Sequence, residues 1–243
     1  MNSLSSQQLK VCFSPQLIKS YADENSIIMV IDVLRATSAI CTALHHGAEK
    51  VIPVVDVRVA RDYLNKGYIV GAERNGEIVE GFEYGNSPLA FVGDHVAGKT
   101  IVLTTSNGTF ALAAAQMAHQ VIIGSFLNLD TVSEWVKNQK RDIVLLCAGW
   151  KQRFNMEDTL FAGAVVSKLR AANTGLSLSD SSIAAEILYA KAKDNMFDFL
   201  ENTSHRNRLR SMNIEEDVRY CLIPNTTTVI PMLKDGNIVK MER

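Results

Sequence analysis

Little in this chain of 243 residues marks it for a membrane, a nucleic acid or an oxidising compartment. The apolar run at residues 27–31 falls far short of the ~20 residues that a membrane-spanning helix needs. The opening MNSLSSQQLK has neither the charged start nor the long apolar stretch of a secretory leader, so the cytoplasm is the expected location. A formal charge of -1 gives no basic field to recruit nucleic acid or a lipid surface. Only four cysteines occur, Cys12, Cys41, Cys147 and Cys221, with no CxxC pair, and the five histidines show no HxH or HExxH spacing. A zinc site is therefore not expected, and the thiols read as buried and reduced.

Further absences remove whole mechanisms. Residues 32–37, which follow the first strand, hold no glycine, so this is not the dinucleotide-binding turn. Residues 105–109 hold no lysine, so this is not a P-loop. Leu34 stands where a haloacid-dehalogenase phosphatase needs a second aspartate, and no RHG triplet of a histidine phosphatase is present. No repeat, low-complexity tract or flexible linker interrupts the chain. With 47% apolar residues, it is expected to form a single domain over 1–243, with room for two closely packed lobes.

What is present is alternation. Strand-length apolar stretches at 27–31, 50–55, 68–71, 100–104, 120–124 and 142–147 are interleaved with helix-length amphipathic ones at 37–46, 57–66, 110–118, 131–137 and 157–172. This predicts a three-layer α/β/α fold on a mostly parallel sheet. From residue 179 to about 221 the pattern is helical, and the end reads as a β-hairpin around Asp235-Gly236. The irregular stretch from 73 to 98 is too long for an ordinary connection and predicts a binding or lid loop.

In open parallel sheets ligands bind beyond the carboxyl ends of the strands. The first strand runs into Asp32 and Arg35, a carboxylate beside a guanidinium that can pair two anionic oxygens at once. A helix cap and a solvated arginine would look the same. The strand at 100–104 runs into Ser106, Asn107, Gly108 and Thr109, a turn whose N–H groups at a helix start suit phosphate, or equally form a plain cap. After the strand at 142–147, Glu157 and Asp158 open a helix. They are either first-turn acids complementing the helix dipole or oxygen ligands for Mg²⁺. Cys147 and Arg153 have the bare spacing of a cysteine phosphatase, which gives a metal-free alternative. Arg206, Arg208 and Arg210 read as a solvated helix face in preference to a polyanion site, and the acids 215–217 as a helix start that could also contribute a carboxylate to the site.

Taken in order, DVLRATSAI (32–40), GAERNGEIVEGFEYGNSP (71–88), LTTSNGT (103–109), CAGW with EDTLFAGAVV (147–150 and 157–166) and EEDVRYCL around Glu216 resemble the 2-phosphosulfolactate phosphatase family. The resemblance implies Mg²⁺-dependent hydrolysis of 2-phospho-3-sulfolactate, a step toward coenzyme M in some organisms, or of a closely similar small phosphorylated acid. Such a highly anionic ester fits the residue reading. Mg²⁺ would be held by Asp32, Glu157 and Asp158, and Asp32, Arg35, Glu157 and Asp158 are the expected catalytic set. Arg74, Asn75, Asn86, Ser106, Asn107, Gly108, Thr109 and Arg153 are expected to bind substrate. The expected partner is a small anionic phosphate ester, not a nucleic acid or a membrane, and self-association is left open. The other class that these residues allow is a silent anion-binding protein of the same fold.

Overall fold

The computed structural model describes residues 7–242, so most of the opening segment read above for a leader lies outside the described residues. In chain order the elements are β1 (Gln8–Cys12), β2 (Ile27–Ile31), α1 (Ala36–His45), β3 (Lys50–Pro53), α2 (Val57–Asn65), β4 (Ile69–Arg74), β5 (Glu77–Ile78), β6 (Thr100–Thr104), α3 (Gly108–Ala115) and β7 (Gln120–Gly124). They continue as α4 (Leu129–Lys137), β8 (Ile143–Cys147), α5 (Met156–Ala171), β9 (Ser177–Leu178), α6 (Asp180–Ala192), α7 (Met196–Phe199), α8 (Ser204–Ser211), α9 (Glu215–Cys221), β10 (Pro231–Lys234) and β11 (Asn237–Lys240).

The strands form one sheet in the order β5-β4-β6-β3-β11-β10-β7-β2-β8-β1-β9. β2 lies between β7 and β8, parallel to both, and every residue of its sequence IIMVI is buried. Alternation explains why: Ile27, Met29 and Ile31 join the core formed with α4, α5 and α6, while Ile28 and Val30 join the opposite core with α1 and α3. Helices on both faces of a largely parallel sheet make the three-layer α/β/α fold.

Two features exceed the sequence reading. β1, a short strand absent from the predicted set, pairs parallel with β8 and extends the sheet. The terminal hairpin does not cap an edge. β10 pairs antiparallel with β7 and β11 antiparallel with β3, so the chain end joins two parallel halves. Its two-residue turn has Asp235 and Gly236 at positive φ (49° and 77°), the turn type whose twist matches a hairpin. The segment 73–98, expected to be irregular, contains β5 and two 3₁₀ turns, Pro88–Phe91 and Asp94–Val96. No helix among the described residues is long and apolar enough to cross a membrane.

α5 lies against α6 at Gly163, where an added Cβ would sit 2.1 Å from the Ala185 carbonyl oxygen. Gly163→Ala is expected to lower stability by about 1–3 kcal/mol, although alanine is the better helix former. Urea unfolding midpoints test this, and an unchanged or higher midpoint would show that the helices can part without penalty.

Candidate active site

The carboxyl ends of β2, β4 and β6 face one polar pocket lined by Asp32, Arg35, Glu73, Asn86, Asn107, His205 and Arg208. Thr37 closes the turn after β2: its hydroxyl accepts the Asp32 N–H at 3.1 Å, and its own N–H reaches the Asp32 carbonyl at 3.0 Å. The Leu34–Arg35 peptide in this turn is cis. The Asp32 carboxylate is buried and accepts a backbone N–H from Ala36. Burial, with repulsion from Glu73 and Glu157, outweighs attraction to His205 and pushes its pKa up to about 7.

Asp158 corrects an expectation. It is completely buried; Oδ1 accepts the Val33 N–H at 2.9 Å, and Oδ2 accepts the Gly149 N–H at 3.1 Å and the Asn155 amide at 2.8 Å. Most of its lone-pair capacity is thus filled by protein donors. Asp158 therefore ties the loop after β2 to the loop after β8, a positioning role rather than that of the expected metal ligand. Its pKa is raised well above the usual range by burial, then by Asp32 and Glu157. Glu157 is engaged differently: its Oε1 takes a short contact from His205 Nδ1 and a 3.0 Å bond from Asn155. His205 attraction and hydrogen bonds hold its pKa low against the opposing effect of burial.

Arg35 is buried, but it is not a free anion clamp. It donates to Asp217 Oδ2 at 2.5 Å and to the Gly76 carbonyl at 2.9 Å, while Ser87 donates to Asp217 Oδ1 at 2.7 Å. The EEDVRYCL segment thus anchors Arg35 rather than acting only as a helix start. Arg74 is occupied with the Glu73 and Val55 carbonyls and the Thr104 hydroxyl. Arg153 is exposed and away from the pocket lining. Asn75 is exposed and donates its N–H to Ser106 Oγ. These three expected substrate residues are not brought to the pocket.

The turn after β6 is reshaped by Glu73. Its carboxylate accepts the Gly76 N–H at 2.5 Å, the Ser106 N–H at 3.0 Å and the Ser106 hydroxyl at 3.0 Å. Thr109 N–H is taken by Thr105 Oγ1 at 3.2 Å. Among the described residues, the N–H groups of Asn107 and Gly108 have no protein acceptor, which narrows the expected anion turn to these two. Gly108 is required for a different reason than expected. A Cβ there would lie 2.8 Å from Asp32 Oδ2 and 2.6 Å from the Ala36 Cβ, so the absence of a side chain lets α3 close on Asp32.

Sequence reasoning missed Glu73 and His205, read Arg208 as solvated in preference to a polyanion site, and singled out Asp217 only as one of three acids that could add a carboxylate to the site. The Arg206–Arg210 run is solvated only at Arg210: Arg206 is almost fully buried, and Arg208 lies over Trp150 with 4.5 Å to the ring centroid. Burial lowers the Arg208 pKa against the pull of Glu73 and Glu157, and its Nε is buried without a partner among the described residues. His205, Arg208 and Leu209 are spaced i, i+3, i+4, the one signal that could have placed them on a shared face of α8. Cys147 is 0% exposed and burial raises its pKa well above the ordinary value. A thiol so held differs from the exposed, low-pKa thiolate that the cysteine-phosphatase alternative requires.

Among the described residues no three or more His, Cys, Asp or Glu side chains form a ready metal cage. The pocket nonetheless suits a hard cation that keeps most of its waters. Asp32 is strongly desolvated, Asn86 Oδ1 is buried without a partner among the described residues, and Glu73 adds a second carboxylate to the lining.

A family model described as 2-phosphosulpholactate phosphatase matches residues 12–236. The chain belongs to the 2-phosphosulfolactate phosphatase family. The family's name denotes phosphoric monoester hydrolases. Relatives named "Probable 2-phosphosulfolactate phosphatase" include a protein of Caldanaerobacter subterraneus subsp. tengcongensis, 37% identical over 232 residues that cover 90% of this chain and 96% of that one. Another is from Thermotoga petrophila, 41% identical over 88% of this chain and 92% of the relative. One from Clostridium perfringens is 34% identical over 97% of both.

The elevated Asp32 pKa sets a stability test. The unfolded chain releases this proton near the ordinary aspartate value of about 4. The folded chain holds it to about 7, so stability falls as pH rises between these values and the deficit is complete above the folded pKa. In chelator, Asp32→Asn should be close to wild type at pH 4 and more stable than wild type by on the order of 2–4 kcal/mol at pH 8. Denaturant midpoints giving the same difference at both pH values would sink this account.

Proposed function

We propose that this protein hydrolyses 2-phospho-3-sulfolactate, or a closely similar phosphorylated 2-hydroxy acid, to the hydroxy acid and inorganic phosphate. The carrying observation is the desolvated Asp32 in a closed polar pocket with His205 and Arg208. The family's name and its relatives' names support the substrate.

The phosphoryl group is received by Arg208, whose guanidinium carbon lies over the Trp150 ring, and by the open N–H groups of Asn107 and Gly108. Arg208 therefore takes the anion-binding role first expected of Arg35 and Arg153. His205 is oriented through Nδ1 by Glu157, which is itself fixed by Asn155. Its Nε2 has no protein partner among the described residues and is available to give a proton to the departing alkoxide. Asp158 keeps the loops after β2 and β8 in register, so that Asp32 and the Glu157–His205 pair meet across one pocket. The proposed cofactor is Mg²⁺, held by Asp32 and Asn86 Oδ1 with Glu73 balancing its charge; when bound, it neutralises phosphate charge and orients water. Four free, buried thiols support a reducing, cytoplasmic setting for this activity.

Phosphate release from 2-phospho-3-sulfolactate should require a divalent cation and stop in excess chelator. His205→Gln should lower kcat by about 10²–10⁴-fold, the usual range for a lost proton donor. Cys147→Ala should stay within a few-fold of wild type. No release by wild type under any metal condition would leave a silent anion-binding protein instead.

A further inference from the structure

A second cavity, of roughly 530 Å³, opens beside the polar pocket and shares Arg35 and Gly76 with it. One wall comes from the segment after β4, the other from the junction of α8 and α9. The walls meet at Gly76, where an added Cβ would lie 2.9 Å from Met212 Sδ. The cleft therefore borders the place where phosphate is read to sit, with the Arg35 guanidinium and the backbone turn at Gly76 forming the shared wall.

Its chemistry differs from that of the pocket. Ile78, Tyr84, Ala90, Met212 and Ile214 give it an apolar surface, and Ile78 is 55% exposed. Its other charged groups are the carboxylates of Glu77, Glu83 and Asp217. The cation among its lining residues is Arg35, already paired with Asp217 and Gly76. A sulfonate entering this cleft would meet carboxylates and no free positive charge. An apolar group would exchange water for Ile78, Met212 and Ile214, and an aromatic ring would also meet the Tyr84 face and the Met212 thioether.

We propose that the cleft is a side-chain subsite for phosphate esters of 2-hydroxy acids bearing an aryl group on the third carbon, and that the protein hydrolyses this class. The proposal rests on the polar pocket being the phosphate site. The chemistry is unchanged: a water oxygen bonds to phosphorus as the bond from phosphorus to the C2 oxygen breaks. The departing oxygen keeps the bonding pair and takes a proton, giving the hydroxy acid and inorganic phosphate. The leaving group is a secondary alkoxide in aryl and alkyl members alike, so a preference between them reports on the cleft and not on intrinsic reactivity.

The test compares kcat/KM for the 2-phosphate esters of 3-phenyllactate and of lactate, with 2-phospho-3-sulfolactate as reference. The phenyl ester should exceed the lactate ester by about tenfold through burial of the ring. Ile78→Asp, an exposed substitution outside the polar pocket, should erase that preference while leaving the lactate ester within about twofold of wild type. Met212→Ala should weaken the preference in the same direction. Equal kcat/KM for the phenyl and lactate esters in wild type, with release from 2-phospho-3-sulfolactate intact, overturns the cleft assignment alone. A preference that survives both substitutions also overturns it. No phosphate release from any of the three esters removes the phosphatase reading, and the proposal falls with it.

Discussion

The carboxylates of Asp32, Glu73, Glu157 and Asp158 are buried together at the carboxyl ends of the strands, and this crowding governs the architecture around them. A buried carboxylate must be paired, hydrogen-bonded or protonated. Three of the four are compensated by the protein. Glu73 gathers N–H and hydroxyl donors from two turns, Asp158 gathers three N–H donors, and Glu157 takes His205 and Asn155. Asp32 has the poorest set, and its pKa rises to about 7. The imbalance therefore collects on Asp32 and Asp158, and of these two Asp32 is the one that lines the pocket and can exchange partners with a ligand.

The compensation also assembles the fold. The three compensated carboxylates are satisfied by groups far away in sequence: Asp158 by Val33, Glu73 by Ser106, Glu157 by His205. The Arg35–Asp217 pair adds a fourth such link, from the turn after β2 to α9, and it also fixes the border between pocket and cleft. Removing one partner of such a buried pair leaves an uncompensated charge, which is strongly destabilising. The same bonds thus hold the C-terminal helices over the sheet and shape the pocket. The division into a polar pocket and an apolar, acid-edged cleft follows from where those helices lie.

The sequence by itself determined the layers. Fully apolar five-residue runs such as 27–31 can only be strands covered on both faces, and the helices between them supply the cover. Asp235-Gly236 specified its own turn, because only certain residues tolerate the required φ. The position of the polar pocket was legible too, since Asp32 and Asn107 follow the ends of β2 and β6, Asn86 lies in the long connection before β6, and all three reach the pocket. What the tertiary structure alone decided was which polar side chains are spent on the fold and which remain free. Arg35, Arg74 and Asp158 look like ligand-binding groups in a linear reading, yet partners up to 182 residues away occupy them. His205 and Arg208 look like a solvated helix, yet α8 is folded back over the carboxylates. A hydrogen bond uses up a lone pair or a proton wherever its partner comes from in the chain, and only the packed structure brings those partners within reach.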